Sequence, residues 1–61
     1  MQKFSLIKLH TYDNEPIYIN KKYIKKIYQN SAGIVVIQLL NEDSIFTNET
    51  SIDLLADRLS M

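Results

Sequence analysis

The sequence predicts a small α+β domain, an antiparallel meander of four to five strands closed by one C-terminal helix. Three observations carry that expectation. Ile34, Val35, Val36 and Ile37 are consecutive residues with stiff χ1 angles, which crowd a helix and fit a pleated strand. Residues that favour turns cluster at 11–16, 30–33 and 40–43, dividing the chain into short segments. After Thr50 the apolar period changes, with Ile52, Leu55, Ala56 and Leu59 at i, i+3, i+4 and i+7 on one helical face.

The first strand is expected over residues 4–10, where Phe4 and Leu6 share a side and Ile7 and Leu9 stand together. Thr11-Tyr12-Asp13-Asn14-Glu15-Pro16 then turns the chain, and Ile17-Tyr18-Ile19 returns at strand period to complete a hairpin. Ile17 and Ile19 should face inward and Tyr18 outward. Residues 20–30 fit two patterns. Tyr23, Ile24, Ile27 and Tyr28 make a helical stripe, whereas Ile24, Lys26 and Tyr28 alternate as in an edge strand. Asn20 is suited to cap a helical turn, and the β-branched and aromatic residues beyond it favour a turn at 20–23 leading into a strand at 24–29.

Asn30-Ser31-Ala32-Gly33 is a turn in which Gly33 can take positive φ without strain. The run 33–40 follows as the central strand, with Val35, Ile37 and Leu39 on one face and Ile34, Val36 and Gln38 on the other. Burial of both faces requires a helix, a curled sheet edge or another copy of the chain. Residues 40–43 reverse the chain and 44–47 return as a short strand. Thr50 or Ser51 can cap the final helix, and Asp53 places negative charge near the positive end of its dipole. A helix of about ten residues does not persist alone in water, so its apolar face must dock on the sheet.

Sixty-one residues make one domain, 1–61, and a chain of this size buries only about 60% of its unfolded surface. With no cysteine there is neither a disulfide nor a thiolate metal site, and His10 is the one imidazole. Self-association is the expected source of added stability, as a homo-oligomer in contact through Ile34, Val36 or Phe46. No segment approaches the roughly 18 apolar residues of a membrane span, and the N-terminal residues lack a secretion signal's apolar core, so a cytoplasmic location is expected. The zero net charge conceals a split. Residues 1–30 carry six lysines against Asp13 and Glu15, leaving +4, and residues 31–61 stand at −4. Such asymmetry bears on association.

Catalysis requires convergent groups, and the inventory contains no phosphate loop, paired-histidine helix or calcium loop. His10, even with Asp13 near Ser5 or Ser31, reads as an ordinary strand-end residue. Asp53 and Asp57, one turn apart beside Arg58, read as a solvated helix face. No enzyme, cofactor or metal is expected. The more informative stretch is 18–28, where Lys21, Lys22, Lys25 and Lys26 interleave with Tyr18, Tyr23 and Tyr28. Tyr18, Lys22, Tyr23, Lys26 and Tyr28 are the candidate partner-binding residues, with a protein as partner. The alternative is single-stranded nucleic acid or a small ligand on the same surface, since lysines neutralise phosphates and tyrosines stack on bases.

Ile7-Lys8-Leu9, Ile17-Tyr18-Ile19-Asn20, the spaced Ile24 and Ile27, the run 34–39 and the Glu49-Thr50 pair resemble the strands and helix start of the short FlbD-like proteins associated with flagellar and swarming motility. The resemblance covers most of residues 6–59, chiefly at apolar positions. Where that family's turns commonly carry Asn-Gly, this chain has Asn14-Glu15 and Asn41-Glu42. The resemblance implies a bacterial accessory protein that influences a larger assembly by direct contact, without catalytic residues. On a phage the same architecture would suit an inhibitor or a ligand-sequestering protein.

Overall fold

A computed structural model of the chain describes residues 6–60. Phe4 and Ser5, to which the expected first strand and the His10 grouping extend, lie outside the described residues. The order is β1 (Leu6–His10), β2 (Pro16–Asn20), a 3-10 turn (Lys21–Tyr23), β3 (Ile24–Gln29), β4 (Val35–Leu39), β5 (Ser44–Phe46) and α1 (Ile52–Leu59). This is the small α+β architecture of five antiparallel strands and a C-terminal helix. The strands divide into two sheets, β1-β2 and β3-β4-β5. The division falls at the 3-10 turn, whose first amides are organised by the Asn20 side chain accepting from the Lys22 amide at 2.9 Å.

In the first hairpin Ile7 pairs with Ile19 and Leu9 with Ile17. The carbonyls of Lys8 and His10 are engaged from the opposite side, by Arg58 Nη2 at 2.7 Å and by the Asn48 amide at 3.1 Å. The bonds to β2 therefore fall on Ile7 and Leu9, and the His10–Pro16 pair is a non-hydrogen-bonded one. Proline's missing N–H costs the ladder nothing there.

The two sheets meet where the chain continues past β1, at a bridge between Thr11 and Thr47. The Tyr12 amide donates to the Phe46 carbonyl at 2.8 Å on one side of the bridge, and the Asn48 amide to His10 on the other. Thr47 is almost wholly buried. Its hydroxyl donates to the Val35 carbonyl at 2.8 Å and accepts from the Glu49 amide at 3.2 Å, so no polar atom is stranded.

The core joins the inner faces of both sheets to the helix. Ile7, Leu9 and Ile19 from the hairpin meet Val35 and Ile37 from β4 and Leu55 from α1, with Ile17, Ile24, Ile27, Leu39, Ile45, Ile52 and Leu59 around them. The helix is held by that burial rather than by its own length. Ser51 caps it, accepting from the Leu54 amide at 3.2 Å.

The turns show how a chain with one glycine manages sharp reversals. Gly33 has φ +83°, and Asn30 Oδ1 accepts from the amides of Ala32 and Ile34 around it. Asn14 takes φ 71° itself, which its short polar side chain tolerates. In the β4-β5 turn it is Glu42, not Asn41, that takes positive φ, at 77°. Asn41 instead accepts from the Asp43 amide at 3.0 Å.

Candidate interaction surface

Because the helix and the first hairpin occupy one face of the three-stranded sheet, side chains of opposite parity are directed to the other. Pair register places Tyr28 beside Val36 and Val36 beside Phe46. The bond from the Tyr12 amide to Phe46 sets Tyr12 next in line. Tyr12, Phe46, Val36 and Tyr28 thus form one row across the outer face. Tyr12 is 63% exposed, Phe46 47% and Tyr28 38%, whereas Val36 between the larger rings is fully buried. Ile34, half-buried beyond Val36, lines an open cleft of about 380 Å³ with Tyr12, Gly33 and Asn48 among its walls.

A second row, Lys26–Gln38–Ser44, flanks the first. Lys26 Nζ lies 5.4 Å from the centre of the Tyr28 ring, a cation–π contact worth about 0.5–1 kcal/mol at an exposed site. Glu42 gathers the polar end of the face, accepting from Lys25 Nζ at 3.0 Å and from Gln38 Nε2 at 3.0 Å. The pairing register of β3 shifts between Ile24 and Lys26, leaving Lys25 in a bulge.

The five candidate partner-binding residues do not form one patch. Lys26 and Tyr28 meet on the outer face. Tyr18 is exposed on β2 of the other sheet, opposite Lys8. Lys22 is exposed on the 3-10 turn, and Tyr23 lines a notch of about 350 Å³ with Leu39, Leu40 and Asn41. Of the expected oligomer contacts, Phe46 is available, Ile34 is half-buried and Val36 is enclosed within its own chain. Tyr12 belongs to the same surface although it lies outside the 18–28 stretch. Its place depends on the pairing of 12 with 46, and no local pattern in the first turn announces that pairing.

His10 is half-buried on β1 opposite Pro16, and Asp53 and Asp57 are exposed on α1. Among the described residues no three His, Asp or Glu side chains stand close enough to hold a metal ion. Among the same residues no helix is long and apolar enough to cross a membrane. No family model, curated protein or solved structure matches the chain.

Proposed function

We propose that this chain is a non-enzymatic binding module that acts by contact with a protein, through the outer face of its three-stranded sheet. The observation that carries the reading is the row Tyr12–Phe46–Val36–Tyr28, three exposed rings in line with a buried valine and rimmed by Lys26 and Glu42. Aromatic side chains on a stiff backbone offer large contact area at little entropic cost, and a polar rim around them is the usual composition of a protein interface. The FlbD-like resemblance points the same way, toward an accessory protein acting on a larger assembly.

The nucleic-acid alternative has less support. Lys25 is paired with Glu42, Lys26 is engaged with Tyr28, and Tyr18 lies on a different sheet from Tyr28, so the lysines and tyrosines do not line one groove. The formal charge is zero, and backbone-tracking proteins rely on excess positive charge.

A photo-crosslinking residue introduced at Phe46 or Tyr12 in cells should form a covalent adduct with one protein species, and the same residue at Asp57 should not. Equal adducts from all three positions would remove the outer face as the contact surface. Salt-sensitive retention on an oligonucleotide column, lost on replacing Lys21, Lys22, Lys25 and Lys26 with Ala, would instead establish the alternative.

A further inference from the structure

We infer that β3 pairs with β3 of a second copy of this chain about a twofold axis at Tyr28, joining two three-stranded sheets into one of six strands. Among the described residues β3, with six, is the longest strand, and it lies at the edge of its sheet. The direction of its backbone groups follows from its neighbours. The Asn30 amide donates to the Ile34 carbonyl and the Leu40 amide to Tyr23, so even-numbered residues of β4 face β3. Val35 and Leu39 are bonded on the β5 side, by the Thr47 amide and to Asp43. By alternation Tyr28 and Asn30 address β4, whereas the N–H and C=O of Ile27 and Gln29 point away from it. Among the described residues no strand pairs with that edge.

Exposed edges are commonly guarded by lysines, and both candidates here are drawn off. Lys25 is held by Glu42, across β4, and Lys26 lies over Tyr28. A second copy is the occupant whose chemistry the edge fits. With the axis at Tyr28, Ile27 of each copy faces Gln29 of the other and four main-chain hydrogen bonds form, none involving the bulged Lys25. The two Tyr28 rings meet at a non-hydrogen-bonded position, where Cβ atoms lie about 4.5–5.5 Å apart and aromatic pairs are favourable. Lys26 of each copy then faces Asn30 of the other, so no like charges oppose. The arrangement is isologous and closes on itself, as a twofold dimer must. It places two Tyr12–Phe46–Val36–Tyr28 rows end to end. The inference stands apart from the proposed protein partner, which uses the face rather than the edge.

Sedimentation of the chain should show a dimer. Because the chain has no cysteine, Tyr28→Cys introduces a single thiol at the axis, and mild oxidation should convert that variant to a covalent dimer far faster than Ser44→Cys. A chemically synthesised chain with an N-methyl group on the Ile27 amide keeps every side chain and every bond to β4. It should retain its circular dichroism and associate at least about tenfold more weakly, having lost two of the four bonds. A monomer at every concentration, equal oxidation rates for the two thiol variants, or a folded N-methyl chain that dimerises undiminished would each overturn the pairing.

Discussion

Arg58 donates from Nη2 to the main-chain carbonyl of Lys8 at 2.7 Å while its Nη1 holds Glu49 at 2.9 Å. One guanidinium thereby ties the last turn of the helix both to the outer edge of β1 and to the connector that precedes the helix. Its fork of donors suits this double engagement, and a lysine ammonium does not reproduce it. Arg58→Ala should cost about 1.5–3 kcal/mol, the range for hydrogen bonds to charged groups, with Arg58→Lys recovering part of it. Urea unfolding monitored by circular dichroism measures both.

Thr47 occupies the junction of the sheets with its hydroxyl bonded to Val35 and to the Glu49 amide. Thr47→Val keeps the shape and removes both of these bonds, leaving the Glu49 amide without its acceptor. A loss of about 1–3 kcal/mol is expected. Thr47→Ser, which retains the hydroxyl, should lose less. A Val variant as stable as the parent would show that the hydroxyl contributes nothing to the junction.

Backbone conformation accounts for two further effects. A Cβ placed on Gly33 meets nothing within 4 Å, so Gly33→Ala tests the cost of φ +83° without a clash. About 1–2 kcal/mol is expected. At Glu42 the sign is set by comparison: both Glu42→Ala and Glu42→Gly lose the bonds to Lys25 and Gln38, but only glycine relieves φ 77°. The glycine variant should be the more stable by about 1 kcal/mol, a difference that thermal unfolding resolves.

Leu55 is the buried contribution of α1 to the core and touches the inner faces of both sheets' cluster. Leu55→Ala should cost about 2–5 kcal/mol, a large part of the stability open to a domain of this size. Loss of dispersion in the amide proton spectrum would mark unfolding. A spectrum like the parent's, with an unchanged urea midpoint, would mean the helix is not what closes the core.

Most of the architecture is legible along the chain because it is set by local pattern. The β-branched run 34–37 declares the central strand, Asn20 and the residues after it a turn leading into β3, and the spacing of Ile52, Leu55 and Leu59 the helix. Gly33 takes the positive φ that only glycine adopts freely. What pattern does not convey is long-range pairing. The meander reads as continuous, yet the 3-10 turn breaks it into two sheets that rejoin at Thr11 and Thr47. The outer row needs that junction to seat Tyr12 beside Phe46. Val36 alternates outward as its parity requires, but whether neighbouring rings enclose it depends on register across three strands. The grouping of Tyr18 with Tyr28 fails for the same reason, since closeness in sequence does not carry them onto one sheet.

The junction at Thr11 and Thr47 should also set the order of events when the chain folds. Each hairpin closes over a short loop and forms on its own within microseconds. Joining them requires a closure spanning most of the sequence, and its loop entropy must be met before the contacts at Thr47 and Arg58 repay it. That late encounter is the expected kinetic bottleneck. Substitutions at Arg58 should therefore leave the refolding rate nearly unchanged and accelerate unfolding, making the helix-to-β1 tie the clasp that governs how long the native state lasts.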